Sequence, residues 1–458
     1  MKKLLILLSL LMLCCGCDEK KEDDIQVITE NIAETANKED TAPEKPFMML
    51  KSTGFKTVKV NVSVNDGTPP EYVKYIDIRG LDFGEKIPPC AAAEDHTDSE
   101  EATEDMGKPQ KGQIQEYVVG DDSVYFFVSY DAECYDGSHS SAFFSYDPES
   151  GSLSEIAAFE RPDETISISP MTLRYLNDKL YYIGDVPDGE NSSHYGVYSI
   201  DTKTGKREKA FDDEAFSDRD APNYPLDTLI CQEGHLYAVD YTNGTGQTKD
   251  KQVIYGMDNE TGEWSEIFSE NDPYKPSRMF DGNIVTINRN DDRKVCVHTD
   301  RYDFVSPFRS SDLVYAGDNE IALIQSNRRA EDAIGVVGVY GSSELHIYDF
   351  EKKEHYVFYL NELGAGWEIE KVKNGYLVTN PYLITNSDDL TTAVYYLLPE
   401  LGMAFNVTNS FTNIYDGSGD EELDKLLLGM FERSSNVISV NNNKASVISN
   451  EEIVYMEK

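Results

Sequence analysis

Residues 177–185 read NDKLYYIGD, and residues 195–205 read YGVYSIDTKTG. The first stretch opens on two turn-forming residues and passes into an apolar, aromatic run of strand length. In the second, Val197, Ser199 and Asp201 alternate with Tyr198 and Ile200, the period of two that a pleated strand imposes on its side chains. The Asp-x-x-Thr-Gly segment at 201–205 then supplies a tight turn, with Asp capping backbone N–H groups and Gly taking a positive φ. Turn, strand, loop, strand, turn is the local unit.

That unit recurs along the chain. Its first half is GDDSVYFFVS from Gly120, EGHLYAVD from Glu233, DGNIVTIN from Asp281, GDNEIALIQS from Gly317, KNGYLVTN from Lys373 and NNNKASVIS from Asn441. Its second half is clearest in SAFFSYDPESGSL from Ser141, VIYGMDNETGEWSEI from Val253 and LHIYDFEKKEHYVF from Leu345. Tyr125, Tyr181 and Tyr237 recur about 56 residues apart, slightly beyond the ~40–50 residues of common propeller repeats. Seven strand starts imply seven blades. After the last start only EEIVYMEK remains, so that blade lacks strands, and FKTVKVNVSV (55–64) with EYVKYIDIRG (71–80) is expected to supply the missing pair. Closing the ring with both termini removes exposed sheet edges. The sequence therefore predicts an all-β, seven-bladed β-propeller over residues 47–458, with a two-sandwich all-β arrangement as the competitor.

One segment has another period. In DGSGDEELDKLLLGMFERSS (416–435), Leu423, Leu426, Leu427 and Met430 fall at i, i+3, i+4 and i+7, with Asp420 as N-cap. This predicts a helical insertion over 420–432 that packs against the side of the ring, with partner docking as the alternative. The same segment begins like a calcium loop, but Glu421 and Leu427 occupy the positions where such a loop needs Gly and Glu.

The N-terminus carries the most specific functional signal. MKKLLILLSLLMLCCGCDEKKEDD has a basic start, a ten-residue run from Leu4 to Leu13 that is apolar apart from Ser9, and small residues before charge begins at Asp18. That is the layout of a secretory signal, and the run is too short to span a bilayer. With Gly16 before Cys17, it resembles bacterial lipoprotein signals, in which a peptidase cuts before a cysteine that carries diacylglycerol. The resemblance implies a signal peptide at 1–16 and lipidation of Cys17; the departure is Cys14 at the third position before the cysteine, where the pattern has an aliphatic residue. Two or more acyl chains anchor a protein stably, where one does not. Residues 17–46 are polar and poor in aromatics, the composition of a tether, and about 30 residues of coil reach about 30 Å. The expected location is outside the cytoplasm, at the cell envelope or surface. A second acidic stretch at 91–112, with no basic residue before Lys108, reads as a loop.

The chain holds 84 acidic and 41 basic residues, a formal net charge of −43. Nucleic-acid binding needs a basic patch, and none is visible. Beyond the leader, Cys90, Cys134, Cys231 and Cys296 are scattered. They are too sparse for a disulfide framework, and buried free thiols are expected, although export permits a bridge. His96, His139, His194, His235, His298, His346 and His355 form no metal-ligand pair at motif spacing, and no nucleophile elbow, phosphate loop or sialidase box occurs. The tyrosines are expected to fill space between blades.

The turns DTKTG (Asp201 to Gly205) and DNETG (Asp258 to Gly262) resemble the repeats of quinoprotein-like and surface-layer-type bacterial propellers. Quinoprotein repeats place Trp four residues after that Gly, whereas Trp264 comes two after Gly262, so no cofactor is expected. The resemblance implies an architecture that includes lipid-anchored scaffolds. The expectation is a monomeric, non-catalytic binding module for a protein or glycan, with an exported glycan hydrolase or lyase as the alternative. Clustered His, Arg and Tyr around the axis would favour the enzyme; a flat acidic face would favour binding.

Overall fold

The computed structural model describes residues 48–458 except 66, 88–108, 131–139, 161–166, 169–170, 188–192, 212–225, 242–251, 271–276, 291–293, 310, 329–339, 361–367, 380–393, 409–437 and 449–451. The chain divides into two compact units, Met1–Pro46 and Phe47–Lys458, and the first lies outside the described residues.

Among the described residues, the second unit holds seven meandering sheets and one two-stranded ribbon. Blade 1 runs Gln113–Val119, Val124–Tyr130, Ser140–Asp147 and Ser152–Phe159. The inner strands of blades 2 to 7 are Arg174–Leu176, Leu226–Gln232, Ser277–Phe280, Ser311–Ala316, Glu368–Val372 and Ser439–Asn441. Within each blade, successive strands pair antiparallel, as short turn connections require. Seven apolar clusters fill the gaps between neighbouring blades, and the seventh joins Ile76, Ile78 and Ile453 of the last blade to Val124, Phe126 and Phe144 of the first. The ring is thus closed by packing as well as by hydrogen bonds. Tyr130, Tyr182, Tyr302, Tyr348, Tyr376 and Tyr396 are fully buried, which bears out the packing role expected of the tyrosines.

The Asp-x-x-Thr-Gly turns form as the spacing predicts. Asp201 Oδ1 accepts the Lys203 and Thr204 N–H groups at 3.1 and 2.8 Å, and Gly205 takes φ 68°. A side chain on Gly205 would also run into the Ile156 carbonyl, so both conformation and space require glycine there.

Ring closure differs from the expected pattern. Lys74–Asp77 does pair antiparallel with Glu452–Tyr455 as the outer strand of blade 7. FKTVKVNVSV does not join it. Instead Met48–Lys51, Lys56–Asn61 and Ser63–Asn65 pair parallel with the outer strands of blades 4, 5 and 6 in turn. The segment follows the rim in one direction and adds a fifth strand to each blade it passes, capping edges that would otherwise be open. Phe55 packs edge-on against Tyr348 with ring centroids 5.3 Å apart, and Val62 is buried between blades 5 and 6. A strand-by-strand count of the last blade could not show this, because it credits the N-terminal strands to one blade only.

The helix expected over 420–432 lies outside the described residues, as does the calcium-like segment from Asp416. Among those described, the helical element is a 3-10 turn, Pro399–Leu401, and everything else regular is strand. The acidic stretch 91–112 is described only at its end, where Gln110–Lys111 pairs with Glu85–Lys86. Cys231 and Cys296 are buried free thiols, while Cys90 and Cys134 lie outside the described residues.

Candidate functional site

The inner strands end together, and their ends are stitched. Asn441, the last residue of the blade 7 inner strand, accepts the Tyr175 N–H on Oδ1 at 2.9 Å. Its Nδ2 donates to the Val119 carbonyl at 3.3 Å. Asn442, with φ 53°, donates its N–H to the Cys231 carbonyl at 2.7 Å and accepts the Gly234 N–H at 2.7 Å. Gln232 continues the series, donating to the Met279 carbonyl at 3.4 Å and accepting the Gly282 N–H at 3.3 Å. One hairpin of blade 7 therefore bonds to blades 1, 2 and 3, and blade 3 bonds to blade 4. This end of the axis is bridged by side chains with their partners in place.

Behind it the inner strands enclose a cavity of about 570 Å³. Its walls are largely aliphatic, from Ile230, Leu313, Val314, Ile369, Ile438 and Val440 among others. Arg174, Ile230, Arg278, Val314 and Glu370 all line it, and each stands three residues before the turn of its own blade. In five of the seven blades the residue at this register thus lines the cavity, alongside other residues of the same strands.

The charged members differ in how they are satisfied. Glu370 is paired with Lys458 at 2.7 Å; burial raises its pKa and the Lys458 charge opposes the rise. Arg278 Nη1 donates to the Leu313 carbonyl at 2.9 Å. Arg174 is only 8 % exposed and donates from Nη1 to the Leu173 carbonyl at 2.7 Å. Its Nε is buried and meets no acceptor. Burial pulls the guanidinium's pKa down, and the Glu116 charge opposes that. Glu116, on the adjoining inner strand of blade 1, accepts the Met171 N–H at 2.5 Å. Burial pushes its carboxyl up to about 7, against the pull of that bond and of Arg174. Met171 itself sits at φ 63°, a left-handed conformation that a side chain adopts only under constraint. Arg174 lines the cavity, whereas Glu116 is not among its described lining residues.

The residues singled out in the sequence fall elsewhere. Cys17 lies outside the described residues. No histidine or tyrosine lines the cavity among the described residues, so the axis carries two arginines without the His and Tyr that would accompany them in the expected enzyme site; nor does this concave, largely apolar lining make a flat acidic face. His346 and His355 sit instead on adjoining strands of blade 5, Nδ1 to Nε2 at 3.0 Å, with Phe308 tilted against His346 and Tyr348 stacked on His355. Glu344 Oε2 is 3.3 Å from His346 Nε2. Burial holds both rings well below the ordinary histidine range. Among the described residues, no group of three or more His, Cys, Asp or Glu is arranged to hold a metal ion. Trp264 stacks on Phe211 with centroids 5.1 Å apart. Arg174 and Glu116 belong to no motif; the signal for them is a charge inside an inner strand, three residues before the repeat's turn for Arg174 and four for Glu116.

No protein-family model matches the sequence, and no curated protein matches it. Solved structures do. The β-propeller domain of the Trilobed protease from Pyrococcus furiosus is similar at 12% identity and a TM-score of 0.42, over 75% of this chain and 93% of that one. The acylaminoacyl peptidase of Pyrococcus horikoshii is similar at 11% identity and a TM-score of 0.44. The match covers 75% of this chain but 50% of that longer one. The oligogalacturonate lyase of Vibrio parahaemolyticus is similar at 10% identity and a TM-score of 0.40, over 73% of this chain and 86% of that one. The seven-bladed assignment stands on the sheet pairings themselves. No helix among the described residues is long and apolar enough to cross a membrane.

Proposed function

We propose that the protein is an exported lipoprotein, anchored through Cys17, whose propeller binds a partner at the axial cavity without transforming it. The observation that supports binding is the shape of the axis: a cavity in the size range of ligand sites, backed by a stitched end. The partner belongs to the protein or glycan class, met outside the cytoplasm within reach of the tether. Anchoring has its own test. Cys17→Ser should abolish uptake of labelled fatty acid, and continued labelling would overturn the site.

One observation favours an enzyme acting on glycans. Glu116 holds a proton to about pH 7, where a general acid would be useful. A glycan array combined with a turnover assay separates the two readings: the binding reading expects capture without product. Product formation lost in Glu116→Gln would replace it with the enzyme.

A further inference from the structure

The lining of the cavity discriminates between the two partner classes. Of its nineteen described residues twelve are apolar, and Phe280 is the one aromatic ring among them. A sugar carries hydroxyls on every side, and each needs a partner when it leaves water. The polar side chains here are largely engaged with the protein itself. Gln232 holds the Met279 carbonyl and the Gly282 N–H, the Ser277 hydroxyl shares a bond with Thr286 at 3.2 Å, and Glu370 pairs with Lys458. Arg174 Nε is closed to solvent and out of a ligand's reach. Arg278 and Asp312, exposed at the wall, bring one charge of each sign. Apolar surface is what the cavity offers: Ile230, Val314, Ile369 and Val440, from the inner strands of four different blades, are each part-buried. Packed interiors leave few voids larger than a water molecule, so about 570 Å³ beside aliphatic side chains is space held open at a cost. Around it, the formal net charge of −43 draws cationic groups and repels acidic ones.

Resting on the reading of the cavity as a binding site, we infer that its partner is a protein segment that inserts apolar side chains along Ile230, Val314, Ile369 and Val440 and carries basic residues on either side of them. Apolar side chains seated in fitted pockets supply most of the energy of protein interfaces, and charges around them steer the encounter. The glycan class is the one this lining disfavours.

The test is isothermal titration of the purified protein with five probes. Three are peptides capped by acetyl and amide: Lys-Leu-Phe-Leu-Lys, Lys-Ser-Gly-Ser-Lys and Glu-Leu-Phe-Leu-Glu. The others are maltotriose, a glycan, and N-phenyl-1-naphthylamine, a small uncharged lipophile. The inference expects the first peptide to bind about tenfold or more tighter than the second, whose flanks are the same. It should also bind tighter than the third at low salt, and that gap should close as salt is raised. Ile369→Trp, which fills the cavity, should remove the preference for the apolar peptide; Ile230→Trp does the same from the opposite wall if the first variant folds poorly. Equal affinity for the first two peptides overturns the apolar insertion, and equal affinity for the first and third at low salt overturns the basic flanks. Maltotriose or the lipophile bound without the first peptide overturns the inference but keeps the cavity as a site for that other class. Absence of binding by all five probes overturns the cavity reading as well. A preference that survives both tryptophan variants places the site elsewhere and overturns the inference.

Discussion

The turn end of the inner strands and the cavity they line treat buried polar side chains in opposite ways, although Gln232 borders both. At the turn end, Asn441, Asn442 and Gln232 place their amides on backbone groups of other blades, at 2.7 to 3.4 Å. Toward the cavity, Arg174 keeps a buried donor without an acceptor and Glu116 is held protonated near neutrality. A polar group with its partners in place belongs to the scaffold. One left unsatisfied costs stability, and natural proteins keep such costs where function needs them.

The comparison presumes a closed ring, and breaking the ring should have the largest effect. Ile76 is 7 % exposed and seals the last blade against the first. Ile76→Asp buries a charge in that seam and should cost about 4 kcal/mol or more, read by chemical denaturation. Val62→Ala, which loosens only the rim strand over blades 5 and 6, should cost about 2 kcal/mol.

Acid should unbalance a polar cluster that belongs to neither end. His346 and His355 share one hydrogen bond and are held neutral by burial, with pKa values below those of the unfolded chain. The unfolded state therefore binds more protons below about pH 6.5, and stability falls by about 1.4 kcal/mol per pH unit for each ring. Glu116 acts with the opposite sign: its raised value means the folded state keeps a proton that the unfolded chain has lost, so its contribution improves as pH falls from about 7. On a Glu116→Gln background, denaturation between pH 7 and pH 5 should show the histidine slope, opposed now only by Glu370, whose carboxyl burial also raises. His346→Phe with His355→Phe should flatten it, and an unchanged slope would mean that the rings are not its source.

At the stitched end, Asn441→Ala strands the Tyr175 N–H and the Val119 carbonyl and should cost about 2 kcal/mol. The smallest effect on stability should come from Arg174→Met. Replacing an unsatisfied buried cation by an apolar side chain of similar length is often neutral or stabilising, so a change within about 1 kcal/mol of wild type is expected.

Much of this was legible in the sequence. The repeated turn-plus-strand units fixed the class and the blade count, because strand period and turn chemistry are local. Asp201 and Gly205 did what their spacing implied. The rim path of residues 48–65 was not legible, since parallel pairing with blades some 250 to 350 residues away leaves no local mark. Arg174 was half legible: its place before the turn was visible, but that this register faces the axis depends on how the blades assemble. Cys17 was read from its leader alone.

The most direct measurement is a pair of melting curves, Asn441→Ala and Arg174→Met against wild type in the same buffer. The account predicts a clear fall in melting temperature for Asn441→Ala and little change, or a rise, for Arg174→Met. An Arg174→Met protein that melts as early as the Asn441→Ala protein would make Arg174 part of the scaffold and contradict the division between the two ends.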